Sequence, residues 1–485
     1  MNSKYFIGID IGTQGARVVL INASGDVLGS GEQAFPLNNQ SREEQSPEQW
    51  WRDCLLCLQQ VVGQVRLQIN LADVVAMSVT STSGTIIPLD KNNEPLYNAI
   101  MYSDPRSAEE ASFCKKVALA ENSNGFTAFN ASSGLPKMLW FINRYPDKVE
   151  QLGTFIHAAD FIIGKLCGRY DVTDYTNALK SGYDVRKKEW PAYIWEKLPI
   201  QQYWLPTVQP SGTTVAKILP ALATELGLPA HIQVVAGMTD GCAAQIASGA
   251  VQIGDWNTTI GTTLVVKGVT TKEINDPYGR LYCHRHPEGY WMPGGASNTG
   301  ADWVTRDFGN DLVDLTKQAA QLVPTKHLIW PLKQQGERFP FIAPQATGFH
   351  SAGLSSAELF AASMEGVAYI EKYAYEVIKQ LSGESVSAVF TAGGGSNSEL
   401  WLQIRSNVLQ LPVYKMKHVT GAVGAAIIAA SQTHFTTLTE AAKALTQIEK
   451  EVHPQPGVSA IYQPIYQQFI DVLASKGYIS KTAYA

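Results

Sequence analysis

Two segments of this chain, about half its length apart, carry the same tripeptide in the same setting. Residues 6–22 read FIGIDIGTQGARVVLIN and residues 253–269 read IGDWNTTIGTTLVVKGV. Ile11-Gly12-Thr13 and Ile260-Gly261-Thr262 therefore each sit in a turn between two apolar runs. Short apolar runs bounded by glycine read as strands joined through a tight turn. A repeat at that separation implies two halves of similar fold. At 485 residues, two or three domains are the ordinary expectation in any case.

The segments between carry strand and helix signals in turn. VVAMSVTSTSG (74–84) is an apolar strand that ends in a run of hydroxyls. HIQVVAGMTDG (231–241) is a further strand, and the GLP before it marks the best domain boundary. SPEQWWRDCLLCLQQVV (46–62) reads as a helix with Ser46 as N-cap, Pro47 in its first turn and Gln49 as capping-box partner. Ser355 and Glu358 form the same signature ahead of a long helix. SAVFTAGGGSNSELW (387–401) is strand, triple glycine, helix, and the glycines of GAVGAAIIAA (421–430) suit close helix packing.

Composition excludes several function classes. A net charge of -5 without a basic stripe leaves no electrostatic footprint for nucleic acid. No apolar run approaches membrane-spanning length, and MNSKYFIGID holds no secretory signal core. The six cysteines are scattered, and Cys54 and Cys57 fall on one face of a helix with no histidine cluster or second C-x-x-C to complete a zinc site. A reducing, cytoplasmic compartment is the expectation.

Asp10, at the end of a strand and followed by Gly12, Thr13 and Gly15, admits two readings. It can belong to a plain hairpin turn. Alternatively, glycine lets backbone approach a ligand and successive N–H groups form an anion nest, with a magnesium ion reconciling carboxylate and phosphate. The stretch matches neither the Walker nor the Rossmann glycine pattern. Asp240 is also a strand-end carboxylate, and it equally reads as a helix N-cap before GCAAQIASGA. Glycine-rich turns recur at 10–15, 261–263 and 393–395.

With these turns in order, the chain resembles the FGGY carbohydrate kinases of the actin-like sugar-kinase superfamily. The matching stretches run from end to end: GIDIGTQGAR, LPKMLWF, GMTDGCAA, TIGTT, SMEGVAY and TAGGGSNSELW. Thr82-Ser83-Gly84-Thr85 stands where xylulose kinases carry a Gln-Met-His-Gly type motif and glycerol kinases an arginine–glutamate pair. With YSDPRSAEEA, TDYTNALKSGYD, GGASNTGADW and GERFP, this looks like the cyanobacterial and plant pentulose kinases that act on D-ribulose. Ser398 stands where the family often has Asn, and Val419 where Glu is frequent.

The resemblance implies an α/β protein of two actin-like (ribonuclease H-like) domains. Each would hold a mixed five-stranded sheet flanked by helices, with a cleft between the domains. Residues 1–242 would bind mainly sugar and 243–485 mainly ATP. Asp10 would be the magnesium-linked carboxylate, and Asp240 the base that accepts the sugar hydroxyl proton. Gly12 and Thr13 would offer donors to the terminal phosphate, and Gly261, Thr262 and Thr263 would hold phosphates. Gly394 and Gly395 would admit the nucleotide, with Ser398 and Trp401 beside the adenine, although Trp401 also reads as plain core. Thr82, Ser83 and Gly84 would contact sugar with Asp10 and Asp240. Asp104, with Arg106, would form a rim or else a surface ion pair. The expected partners are ATP, Mg2+ and a small sugar, with no nucleic acid or membrane, in a monomer or homodimer. The expected activity is phosphorylation of a ketopentose, D-ribulose, at its terminal hydroxyl. The alternatives are D-xylulose or another polyol as acceptor, or a non-catalytic nucleotide and sugar sensor.

Overall fold

The structure, a computed structural model, describes residues 4–309 and 312–480. The chain divides into two compact units. The first comprises the residues through Ala247 together with His284–Gly289 and His418–Thr446; the second comprises Ser248–Cys283, Tyr290–Lys417 and the residues from Gln447 on. The expected division into 1–242 and 243–485 assigns 418–446 to the later half, whereas this segment packs within the first unit.

The first unit is built on a six-stranded mixed sheet. Its strands are β1 (Tyr5–Ile11), β2 (Gly15–Asn22), β3 (Val27–Ala34), β4 (Val74–Ser81), β5 (Thr214–Lys217) and β6 (Gln233–Thr239), in the spatial order β5-β6-β4-β1-β2-β3. β1 and β2 form the hairpin read from sequence, and β4 lies parallel to both β1 and β6. The expected count was five; β5 adds a sixth strand by pairing antiparallel at the free edge of β6. All seven residues of β1 are buried, as expected of a strand covered on both faces.

α1 (Pro47–Val65) packs on this sheet through Trp50, Cys54, Cys57, Leu58, Val61 and Val65, a helical stripe. Ser46 caps it by accepting from the Gln49 N–H at 3.3 Å. Gln49 itself does not complete a capping box, because its amide donates to Asp53 at 2.9 Å one turn on. Cys54 and Cys57 are buried, and burial pushes the Cys57 thiol up to about 11, so both face the core as neutral side chains. A smaller four-stranded sheet (Glu44–Gln45, Ala99–Ile100, Ile86–Asp90, Leu152–His157) carries its own core around Phe141, Phe155 and Trp204.

Two further helices organise the first unit: α2 (Asp240–Ala247), which continues directly from β6, and α3 (Gly421–Ala430). α3 is made almost wholly of Gly, Ala and Ile, and it lies against both β1 and α2 with backbones nearly touching. A Cβ on Gly8 of β1 would fall 1.8 Å from the Ala422 carbonyl oxygen, and one on Gly424 would fall 2.0 Å from that of Ala243. This contact draws residues 418–446 back to the start of the chain. Among the described residues, no helix is long and apolar enough to cross a membrane.

The second unit holds a seven-stranded sheet of β7 (Asp255–Ile260), β8 (Leu264–Gly268), β9 (Tyr282–Arg285), β10 (Trp291–Ser297), β11 (Ala388–Ala392), β12 (Val413–Met416) and β13 (Ile448–Val452). Its order is β9-β10-β8-β7-β11-β12-β13. The pattern of the first unit recurs: β7 and β8 form a hairpin, and β11 lies parallel to β7 just as β4 does to β1. The helix Ser356–Ser382 runs through the core, started by the Ser355–Glu358 capping box expected from sequence.

The close approach at Gly8 generates a stability prediction. Gly8→Ala should lower the unfolding free energy obtained from urea titration by about 1–3 kcal/mol or more, the cost of overpacking. Gly63→Ala, on the exposed face of α1 where a Cβ meets nothing within 4 Å, should instead raise it by about 0.5–1 kcal/mol. Equal midpoints for Gly8→Ala and the unmodified protein would contradict the packing of α3 on β1.

Candidate active site

In the first unit, three neighbouring parallel strands end on one edge. Asp10 of β1 pairs with Thr80 of β4, Ile11 with Ser81, and Ser81 in turn with Thr239 of β6. Each strand then delivers one of the residues singled out in the sequence: β1 leads into Asp10 and the Gly12–Thr13 turn, β4 into Thr82–Gly84, and β6 into Asp240. The carboxyl ends of parallel strands are where open α/β sheets bind ligands.

Asp10 is buried, and its carboxylate lies beside the first residue of α3, since a Cβ on Gly421 would stand 2.8 Å from Asp10 Cγ. Arg17, opposite Asp10 in the hairpin, brings Nη1 to 3.9 Å from Oδ2 while binding Glu32 at 2.8 Å. Asp10 Oδ1 is buried without a hydrogen-bond partner. Burial first, and then the nearby Asp240 charge, push the Asp10 carboxyl up to about 7, with Arg17 acting in opposition. Gly421 and Arg17 escape a sequence reading because each acts on Asp10 only through the folded sheet.

Asp240 opens α2, and its Oδ1 accepts from the Gly241 N–H at 2.6 Å. The strand end before it is anchored by Thr176 Oγ1, which accepts from the Thr239 N–H at 2.8 Å and donates to the buried Asp174 at 2.6 Å. In the hydroxyl run, Thr82 Oγ1 lies 3.0 Å from Thr85 Oγ1, which accepts from the Tyr102 N–H. Ser83 Oγ is buried with no partner. Gly84 adopts φ +83°, and a Cβ there would meet the Ser132 carbonyl at 2.1 Å, so only glycine fits.

Asp104 pairs with Arg106 as expected, but it is 2% exposed rather than at the surface, its two oxygens accepting from the Arg106 N–H, Nε and Nη2 at 2.6–2.9 Å. Arg106 also binds Glu44 at 2.7 Å and lies over the Trp140 ring. Lys137, which the sequence reading passed over, is fully buried and donates to the Asp104 and Ala131 carbonyls. Burial pushes its ammonium down to about 8.

In the second unit the β7 and β11 ends are neighbours, Thr259 pairing with Ala392, so the 261–263 and 393–395 turns lie side by side. Gly393 (φ +83°) and Gly395 are required by the fold, since a Cβ on either would meet Ile260 at 2.5 and 2.8 Å. Glu337, another residue without a role in the sequence reading, is buried and accepts from Ser297 Oγ, the Asn298 N–H and Thr299 Oγ1 at 2.7–2.8 Å. It thereby fixes the loop whose Ala301 N–H donates to the Gly261 carbonyl at 2.7 Å. Ser398 caps the helix Glu399–Leu409 by accepting from the Trp401 N–H. The Trp401 indole is core: 3% exposed, donating to the Met364 carbonyl and packed on Trp303. It offers no face to adenine.

Gly12, Gly261 and Gly394 form a different class of glycine. None has positive φ, and an added Cβ would meet nothing nearer than 3.5 Å, 4.0 Å and nothing within 4 Å, respectively. Neither packing nor backbone conformation requires glycine at these positions. The Gly12 N–H, however, donates to the Gly15 carbonyl at 3.1 Å and the Gly261 N–H to the Thr263 carbonyl at 2.9 Å, so each of these expected phosphate donors is already engaged within its own turn. No group of three or more His, Cys, Asp or Glu side chains suited to a metal occurs among the described residues. The unpartnered Asp10 oxygen fits a hard cation held by one carboxylate, with phosphate oxygens and water completing its shell.

Comparison with known proteins shows the family and the fold. The N-terminal domain of the FGGY family of carbohydrate kinases matches residues 5–247, and its C-terminal domain matches 256–433. The xylulose kinase of Bacillus subtilis is 25% identical over 489 residues, covering 97% of this chain and 96% of that protein. Among solved structures, the xylulose kinase of Rhodospirillum rubrum superposes with a TM-score of 0.84 at 22% identity, covering 97% of this chain and 99% of its own. The glycerol kinase of Plasmodium falciparum with ADP gives 0.81 at 16% identity, covering 97% and 98%. At these identities the structural likeness speaks for the fold.

The Asp10 environment predicts a pH dependence. With its carboxyl held near 7, against 3.8 ordinarily, the folded chain keeps a proton that the unfolded chain has released. Stability therefore falls as pH rises between those values and levels off above the higher one. Asn at this position removes the titration. In magnesium-free buffer, Asp10→Asn should stabilise the protein at pH 8 more than at pH 4.5, by on the order of 2–4 kcal/mol in unfolding free energy. The same shift at both pH values would contradict a buried, proton-holding Asp10.

Proposed function

We propose that this chain, which belongs to the FGGY family of carbohydrate kinases, transfers the γ-phosphoryl group of ATP to the terminal hydroxyl of a ketopentose, D-ribulose, giving D-ribulose 5-phosphate. The chain is a carbohydrate kinase, a phosphotransferase with an alcohol as acceptor. What supports the assignment of its parts is the convergence of Asp10, the Thr82–Gly84 run and Asp240 at three adjoining strand ends.

Phosphoryl transfer needs positioning and charge stabilisation more than covalent help. Asp240, held at the head of α2, accepts the proton of the sugar's terminal hydroxyl as its oxygen attacks the γ-phosphorus and the bond to the β-phosphate oxygen breaks. Ser83, whose buried hydroxyl has no partner among the described residues, bonds a sugar hydroxyl. Thr13 in the first unit, and Thr262 and Thr263 in the second, supply donors to phosphate oxygens, whereas the Gly261 N–H is already given to the Thr263 carbonyl at 2.9 Å. The bare backbone at Gly394 admits the nucleotide. Magnesium, held at Asp10, would neutralise phosphate charge when bound.

A second reading keeps the chemistry and changes the sugar to D-xylulose; the activity named for the Bacillus subtilis relative favours it. A non-catalytic sensor would need no base, and Asp240 argues against one.

ADP release measured with D-ribulose, D-xylulose, gluconate, glycerol and no sugar separates these readings. D-ribulose should give the highest kcat/KM; a higher value for D-xylulose would establish the second reading, and no sugar-dependent release the sensor. Asp240→Asn should lower single-turnover sugar phosphorylation by about 10²–10⁴-fold with MgATP affinity retained. Near-normal turnover would reduce Asp240 to a helix cap. Ser83→Ala should weaken ketopentose binding by about 1 kcal/mol without moving ATP affinity, and an equal loss for both ligands would make Ser83 structural.

A further inference from the structure

Gln45 occupies the residue before the α1 N-cap, on the two-residue strand that pairs with Ala99–Ile100. Its side-chain Nε2 donates at 3.0 Å to two carbonyls, those of Thr13 and Ser41. Its Oε1 accepts from Trp50 Nε1 at 2.8 Å. Indole nitrogen only donates, so the amide can face one way: oxygen to Trp50, nitrogen to Thr13. Gln45 is 8% exposed and Trp50 1% exposed, so these bonds form away from bulk water.

The main chain ties the same turn on either side, through the Gly12 N–H to the Gly15 carbonyl and the Phe35 N–H to the Gln14 carbonyl. At Thr13 the clamp comes from the Gln45 side chain. A cavity of about 240 Å³ opens beside it, lined by Phe35, Ser41, Glu44 and Gln49. Without the Trp50 N–H, the Gln45 amide has room to turn out of line.

We propose that Gln45, locked by Trp50, is a positioning residue for phosphoryl transfer: it sets the Thr13–Gln14 peptide plane and with it the orientation of the Thr13 hydroxyl presented to the γ-phosphate. The inference rests on the phosphate-binding reading of the Gly12–Thr13 turn. Gln45 touches neither substrate. It acts through a carbonyl whose orientation fixes the neighbouring amide and side chain, and small misplacements of such groups carry large rate penalties.

The test is kinetic, on the full-length protein with MgATP and whichever ketopentose it turns over best. Gln45→Leu, near in volume but without donors, should lower kcat by about ten- to a hundred-fold. Ketopentose affinity without nucleotide should stay unchanged, since the sugar does not bear on Thr13. Gln45→Glu, which sets an acceptor against two carbonyls, should lose more than Gln45→Leu. Trp50→Phe should lower kcat several-fold in the native background and add nothing to Gln45→Leu, the non-additivity of groups acting as one unit. Gln49→Ala, which disturbs the same end of α1 without touching the turn, should keep normal kcat. Normal kcat in Gln45→Leu would overturn the inference. So would a loss matched by weaker ketopentose binding and a lower unfolding midpoint, which would mark a merely structural role. If the unmodified protein phosphorylates no sugar, the kinase reading falls and this inference with it; if it does and Gln45→Leu equals it, only this inference falls.

Discussion

The first unit depends on a helix brought within backbone contact of a strand and of a second helix. α3 lies so close to β1 and α2 that carbonyl oxygens occupy the space where Cβ atoms of Gly8 and Gly424 would stand. Side chains of ordinary size would hold helix and sheet well apart, and the Asp10 carboxylate would then lie away from the start of α3. Three glycines therefore define where both carboxylates stand: Gly8 seats β1, Gly424 seats α2, and Gly421 leaves room for Asp10 itself. Dispersion and excluded water hold the contact, since α3 offers little beyond methyl groups and backbone.

With the frame so tight, the polar groups within it meet different ends. Most are matched: Asp104 by Arg106, Asp174 by Thr176 and Asn177, Glu337 by the loop that supports the Gly261 turn. Asp10 Oδ1 and Ser83 Oγ are left without partners on neighbouring strand ends. Buried polar atoms without partners are costly, and two of them at one sheet edge are what the proposed binding of sugar and cation there would satisfy. The glycines also divide, those at 393 and 395 having no room for a Cβ and those at 12, 261 and 394 having room for one.

Much of this was legible in the sequence where the signal is local. The paired hairpins, the Ser46 cap, the Ser355–Glu358 box and the strand-end positions of Asp10 and Asp240 each rest on residues within a few positions of one another. What escaped depends on distant partners. Arg106 reaches past Asp104 to Glu44, the Trp401 indole finds the Met364 carbonyl, and Gln45 reaches a carbonyl 32 residues earlier. Periodicity says which face of an element is buried but not what it meets there. The resemblance to sugar kinases supplied roles that local pattern alone left open, Asp240 as base among them. It could not show that the Gly12 amide is already used within its own turn.

The return of residues 418–446 to the first unit also bears on how the protein is made. Translation delivers β1 first and the helix that covers it only after some 170 further residues beyond Ala247 have been added. At ~5–20 residues per second that is a delay of roughly ten to thirty seconds. Throughout that interval the emerging first unit has a sheet with one face bare along β1 and a bed of glycines awaiting a helix. A ribosome-bound fragment ending before residue 418 is thus an unfinished body rather than a completed domain, since it lacks the helix that packs on β1. The close packing that places the two carboxylates makes their assembly one of the last events of synthesis.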